Sequence, residues 1–235
     1  MKNEYDIFTE LGGKFLVQSE LLVQKLNKVK CVLFDWDGVF NSGEKGEGTT
    51  SHFYEADSMG TNLLRFALWE KNQQNLPIAG VLSGASSPSA RTFVLREHFH
   101  FLATRFKHKS EAIEAVCQHF DLKPEEILWV YDDVLDVSAA RMCGLRIMVR
   151  RTASPLFTQY IEREGLAEYV TAHAGGNFAV REISELLIGL LGKWEEILAH
   201  RTTYSSTYRS YLEIRQAVQP QALQRMVERI QFMDL

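Results

Sequence analysis

Asp35 and Asp37 stand two residues apart at the end of an apolar run, Cys31-Val32-Leu33-Phe34, and Gly38 follows them. In an extended chain such residues face the same way, so both carboxylates project together while Gly38 lets the backbone turn sharply beyond them. One can attack an electrophile while the other moves a proton. A second acidic set, Asp132-Asp133 with Asp136, closes a different apolar run, Ile127-Leu128-Trp129-Val130. Carboxylates from separated segments, with no His or Cys cluster, suit a hard dication such as Mg²⁺, which binds through few carboxylates and keeps waters and substrate phosphate as its other ligands. Packing Asp35, Asp37, Asp132 and Asp133 together without a cation would be strongly repulsive. Lys109 ahead of a helix, and Ser83 with the Gly84 amide, add positive charge and hydrogen-bond donors. Covalent hydrolysis of a phosphate monoester needs an ionised nucleophile, an acid for the leaving alkoxide and positive charge on the phosphoryl oxygens. Those requirements are met by Asp35, Asp37 and a metal, with Lys109 and Ser83 in support.

The elements that must position these residues are legible as short apolar runs alternating with helical stretches. Runs at Cys31-Phe34, Ile78-Leu82, Phe101-Thr104, Ile127-Val130 and Leu145-Val149 read as buried parallel strands. Helices fit over Ser58 to Glu70, Pro88 to Glu97 with Ser87 as N-cap, Ser110 to Phe120, and Asp136 to Cys143 stopping at Gly144. This alternation predicts an α/β fold with a doubly wound, mainly parallel Rossmann-like sheet, whose ligands bind beyond the carboxyl ends of the strands. The Gly-rich stretch between Gly38 and Asp57 predicts a projecting β-hairpin.

Both ends read as helical additions, giving an N-terminal extension over 1–28, a catalytic domain over 29–188 and a C-terminal extension over 189–235. Residues 9–28 suggest one helix. Val180, Ile183, Leu187, Leu190, Trp194 and Ile197 form a heptad stripe on one long helix, and helical patterns flank Pro220, with Leu223, Met226, Val227 and Ile230 after it. The formal charge of −4, from 26 Lys+Arg against 30 Asp+Glu, offers no global attraction for nucleic acid or an anionic membrane. Cys31, Cys117 and Cys143 show neither a disulfide framework nor a zinc spacing. Free buried thiols, a polar N-terminus and no long apolar span place the chain in the cytoplasm.

The ordered set Asp35-Trp36-Asp37-Gly38-Val39, Leu82-Ser83-Gly84, Lys109 and Asp132-Asp133-x-x-Asp136 resembles the four motifs of the haloacid dehalogenase-like phosphatases. Residues 29 to about 188 further resemble the capless 3-deoxy-D-manno-octulosonate 8-phosphate phosphatase group, down to Pro124-Glu125-Glu126 and the late segment from Ala174 through Gly175-Gly176 to Glu182. The resemblance implies Asp35 as nucleophile and Asp37 as general acid/base. It implies Mg²⁺ held by Asp35, Asp132 and the main-chain carbonyl of Asp37, with Asp133 and Asp136 behind these ligands. Ser83 and Lys109 would hold the phosphoryl group, and Gly84, Gly175 and Gly176 would face a small phosphorylated sugar or sugar acid. A homotetramer is also implied, neighbours covering a site that has no cap. The chain departs from the pattern at Tyr131, where the group has Gly, at Ala56 and Ser58 in place of Arg and Gly, and at Asn177-Phe178 in place of Arg-Gly. The first departure carries the expectation that Tyr131→Gly preserves or raises activity.

Other readings stay open at this level. A phospho-Asp signalling receiver uses a similar residue set, but places its acidic pair first and its phospho-acceptor on a middle strand. Turnover of acetyl phosphate, as against a stable phospho-Asp, separates the two. A catalytically silent relative serving as an oligomeric interaction module would release no phosphate from p-nitrophenyl phosphate. A phosphotransferase or mutase would need water excluded from the phospho-enzyme.

Overall fold

The computed structural model describes residues 3–49, 51–225 and 230–235. Nine strands form one sheet: β1 (Lys14–Phe15), β2 (Cys31–Asp35), β3 (Ile78–Ser83), β4 (Phe101–Thr104), β5 (Ile127–Tyr131), β6 (Leu145–Arg150), β7 (Tyr169–Ala174), β8 (Gln221–Arg225) and β9 (Ile230–Asp234). Their spatial order is β1-β7-β6-β5-β2-β3-β4-β8-β9, parallel from β7 to β8, with β1 and β9 antiparallel at the two edges. The central strands are buried on both faces, which is why they read as continuous apolar runs. Val32, Phe34, Leu128 and Val130 enter the core on one face; Cys31, Leu33, Trp129 and Tyr131 enter it on the other.

Helices cover both faces. On the first lie α1 (Glu4–Leu11), α2 (Ser19–Leu26), α3 (Glu55–Lys71), α4 (Pro88–Arg96), α8 (Ala179–Leu190), α9 (Trp194–Thr203) and α10 (Ser206–Gln216). On the second lie α5 (Lys109–Phe120), α6 (Val137–Ala140) and α7 (Pro155–Arg163). Ser87 caps α4 as expected, its hydroxyl accepting the Ala90 N–H at 3.2 Å. The chain moves outward from β2 through β3 to β4 and then returns to β5 on the other side of β2. That reversal opens the crevice at the carboxyl ends of β2 and β5.

Several expected elements differ. Among the described residues the segment 38–54 forms no hairpin. It holds an isolated bridge between Asp37 and Asn41 and a turn closed by Thr49 N–H on Gly46 O at 3.3 Å. A two-stranded ribbon with no sheet to pair with is marginal in water. The helix expected over 9–28 is α1 and α2, separated by Gly12 in a left-handed conformation (φ 108°) and by β1. The heptad stripe breaks into α8 and α9 around Gly192, whose φ of 66° ends helical geometry. After Pro220 the chain is extended where a helical pattern was expected: Leu223 lies in β8 beside Ala103, and Ile230 opens β9. Met226 and Val227 of that pattern lie outside the described residues. The C-terminal extension therefore ends as two strands of the main sheet, and β7, absent from the sequence reading, lies between β6 and β1.

Candidate active site

Asp35 is the last residue of β2 and is 7% exposed. Trp36 turns the opposite way into an aromatic cluster, stacking on Phe40 at 4.8 Å, so alternation leaves Asp35 and Asp37 on the crevice side. Gly38 has φ 90°, and a Cβ there would overlap both the Asp132 carboxylate and Arg151, so no other residue fits between the two acidic segments.

Lys109 is the first residue of α5 and is 3% exposed, with Nζ 5.4 Å from the Trp129 ring centroid. It donates to Asp35 Oδ1 at 2.5 Å and to Asp136 Oδ1. The other oxygen of Asp136 accepts the Asp132 and Asp133 amides at 3.4 and 3.2 Å, so Asp136 ties the lysine to the turn after β5. Asp132 is buried; its Oδ2 takes Arg151, and its Oδ1 has no partner among the described residues. Asp37 Oδ2 takes Lys45, and its buried Oδ1 likewise has no partner.

These groups face a cavity of about 330 Å³ lined by Asp35, Asp37, Gly84, Lys109, Asp132, Asp133 and Asp136, with Lys45 and Arg151 at its rim. Carboxylate oxygens of Asp35, Asp132 and Asp136 all lie within 4.8 Å of one another. Burial first, then repulsion from Asp136, holds Asp35 well above the usual carboxylate range despite the attraction of Lys109. Burial and Asp136 likewise push Asp132 up to about 6 against the pull of Arg151. Burial works against the charge on Lys109, but Asp35 and Asp136 outweigh it and raise its affinity for the proton. Three buried carboxylates face one buried ammonium and the Arg151 guanidinium at the rim, which leaves one negative charge unbalanced, and an orphaned carboxylate oxygen stands among them. A dication fits this donor set, and its hard oxygen ligands suit Mg²⁺.

The remaining sequence-derived candidates take varied positions. Ser83 ends β3 with its hydroxyl buried and accepting the Ala85 N–H at 3.3 Å; Gly84, and not Ser83, lines the cavity. Asp133 is half exposed and accepts its neighbour Val134's amide at 2.7 Å, so it stands at the rim. A Cβ on Gly175 would overlap Gly38 O, and Gly176 lies against Ser42; this pair lets the β7–α8 loop pack directly on the turn after Asp37. That loop is anchored by Glu182, which accepts the Ala172 and His173 amides at 2.7 and 2.9 Å and the Tyr169 hydroxyl at 2.8 Å. Tyr131 is fully buried in the core of the second face, its hydroxyl donating to Leu166 O at 2.9 Å, and it does not line the cavity.

Arg151 and Lys45 were not singled out from the sequence. Neither has a distinguishing neighbour in the chain; only the adjacency of β6 to β5, and the fold-back of the Gly-rich segment, bring them to the acidic pair.

No family model matches the chain. A 3-deoxy-D-manno-octulosonate 8-phosphate phosphatase of Haemophilus influenzae is 26% identical over 175 residues, spanning 72% of this chain and 88% of that protein. The crystal structure of such a phosphatase from Moraxella catarrhalis, in complex with a magnesium ion, a phosphate ion and a KDO molecule, superposes with a TM-score of 0.64 at 23% identity, covering 80% of this chain and all of that one. The cobalt-bound phosphatase of Haemophilus influenzae gives a TM-score of 0.59 at 23% identity over 73% of this chain and 94% of that one. The structural likeness shows the fold.

Proposed function

From the similarity of this chain to the 3-deoxy-D-manno-octulosonate 8-phosphate phosphatases of the haloacid dehalogenase-like superfamily, we propose that it is a phosphatase. In its finer form the reading is a Mg²⁺-dependent monoester hydrolase that passes through an aspartyl phosphate on Asp35. The observation that carries it is the buried junction of Asp35, Lys109 and Asp136 beside Asp132, whose Oδ1 has no partner among the described residues.

Asp35 and Asp132, with the main-chain carbonyl of Asp37, would hold the cation. Asp136 would stand behind them, since both its oxygens are committed. Bound there, Mg²⁺ supplies charge that keeps the buried carboxylates ionised and stabilises the phosphoryl oxygens. Asp35 attacks phosphorus, and the bond to the leaving oxygen breaks as Asp37 delivers a proton to it. Lys109 and the loop at Gly84 hold the transferring group. Asp37, now ionised, takes a proton from water, whose oxygen attacks the aspartyl phosphate, releases inorganic phosphate and restores Asp35. The cavity of about 330 Å³ is in keeping with a small phosphorylated sugar or sugar acid.

We take residues 29–188 as the catalytic unit, working as a homotetramer in the cytoplasm. Among the described residues no helix is long and apolar enough to cross a membrane. Because the Tyr131 ring points into the core, the ground for a silent interaction module weakens. Hydrolysis of p-nitrophenyl phosphate by the purified chain tests the proposal: phosphate release that needs Mg²⁺ and stops with chelator is expected, and no release with any divalent ion would reject it.

A further inference from the structure

Among the described residues, two groups of metal-ligating side chains converge within 4.8 Å: the catalytic carboxylates, and Glu70 with Glu196 and His200. The second group joins the C-terminal extension to the core, Glu70 coming from the last turn of α3 and the other two from one face of α9. We propose that Glu70, Glu196 and His200 form a second metal site, selective for a borderline cation such as Zn²⁺, which clamps α9 onto α3.

His200 Nε2 lies 3.9 Å from Glu70 Oε1 and 4.0 Å from Glu196 Oε1. Those separations are too long for hydrogen bonds. They approach the spacing of neighbouring ligands around a shared ion, which bonds of about 2.0–2.2 Å would draw in by roughly half an ångström. Each carboxylate divides its oxygens the same way: Oε1 faces the imidazole, while Oε2 meets Lys193 Nζ, at 3.2 Å from Glu70 and 3.4 Å from Glu196. Lys193 thus braces the outer oxygens and leaves the inner pair for the ion. The imidazole is oriented from its far side, Nδ1 lying 2.7 Å from Ser205 Oγ, with the Phe66 ring edge-on to it at 5.9 Å. A ligating histidine held through its other nitrogen is the usual arrangement of protein metal sites. One imidazole with two carboxylates selects Zn²⁺ over Mg²⁺, which takes oxygen ligands.

The full chain, stripped with chelator and returned to millimolar Mg²⁺ to fill the catalytic carboxylates, is dialysed against Zn²⁺ and its metal content measured. One Zn²⁺ per chain is expected in the wild type and in Asp35→Asn, and none in His200→Ala or Glu196→Gln. Glu196 is half exposed, so its substitution leaves the fold intact. Ser205→Ala should weaken binding by about 10- to 100-fold. X-ray absorption should show one nitrogen neighbour, a signature the all-oxygen catalytic centre lacks. His200→Ala should hydrolyse p-nitrophenyl phosphate at the wild-type rate, which separates this site from the catalytic one. No bound Zn²⁺ in the wild type, or equal Zn²⁺ in wild type and His200→Ala, overturns the proposal.

Discussion

Two of the regions in which the molecule buries charge are finished differently. Beneath the C-terminal extension, Arg65 and Arg215 converge on Glu97. Arg65 donates to Glu97 O at 2.6 Å and His98 O at 3.0 Å, Arg215 reaches Glu97 Oε2 at 2.5 Å, and Ser58 takes the other carboxylate oxygen. Asn62, Tyr208 and Tyr211 extend the network at 2.7–3.2 Å. Arg65 Nε apart, its buried polar atoms are satisfied by the protein alone. The strand-end cluster instead places three buried carboxylates against Lys109, with Arg151 at the rim, and leaves oxygens of Asp37 and Asp132 without partners among the described residues. A network that completes itself holds a fold, whereas one that stays short of positive charge is built to receive it.

Asp35→Asn gives the largest effect expected from this contrast. Removing the nucleophile should lower kcat by about 10⁴-fold or more, while stability in the absence of metal should not fall, because a repelled charge has gone. A loss of activity matched by a loss of folded protein would show that Asp35 supports the fold instead. Glu97→Ala should do the reverse, costing about 3–5 kcal/mol by leaving the buried Arg215 guanidinium without its carboxylate and the Ser58 hydroxyl without its acceptor, with turnover per folded molecule retained. Urea unfolding beside an active-site titration reads both quantities. An unchanged midpoint would break the comparison.

The structure reverses the sequence-based expectation for Tyr131. Deleting its fully buried ring should cost about 3–5 kcal/mol, so Tyr131→Gly is expected to lose folded protein and not to gain activity. Thermal unfolding checks this directly; a stable and more active variant would restore the view that the ring crowds the site.

The smallest effect concerns Asp57, buried on α3, which accepts the Arg181 amide at the start of α8 at 2.9 Å while its other oxygen has no hydrogen-bond partner among the described residues. Burial pushes its carboxyl up to about 6. The folded protein keeps this proton to about pH 6, whereas the unfolded chain releases it near about 3.9. Stability from this group is therefore full at low pH, declines as pH rises through that window, and is lost above it. Asp57→Asn should be about 1–2 kcal/mol more stable than wild type at pH 7.5 and equal to it near pH 4. A less stable Asn variant at pH 7.5 would mean that the ionised cap on α8 outweighs its burial.

The strands that carry chemistry were legible because β2, β3 and β5 are buried on both faces, so an apolar run ending in Asp35, Ser83 or Asp132 announces both the strand and the crevice beyond it. The edges were not. β8 and β9, with sequences QALQR and IQFMD, are half polar, and only pairing with β4 decides that they are extended. β7 mixes Thr and His with apolar residues: Thr171 is buried with its hydroxyl hydrogen-bonded to Arg150 N and His173 O, while the end of the strand at His173 and Ala174 is partly solvated. The stripe from Val180 to Ile197 keeps helical spacing across Gly192, so periodicity alone could not show the break. Likewise Arg151 gains meaning only when β6 lies beside β5, and Lys45 only when the Gly-rich segment folds back onto Asp37.

In the proposed mechanism Asp35 takes the phosphoryl group. Rapid acid quench during turnover of p-nitrophenyl phosphate with Mg²⁺, followed by mass spectrometry of the peptides, measures this directly. A phosphoryl adduct is expected on the peptide containing Asp35, present only with Mg²⁺ and absent from Asp35→Asn. Steady turnover with the adduct on another residue, or undiminished turnover by Asp35→Asn, would contradict that mechanism.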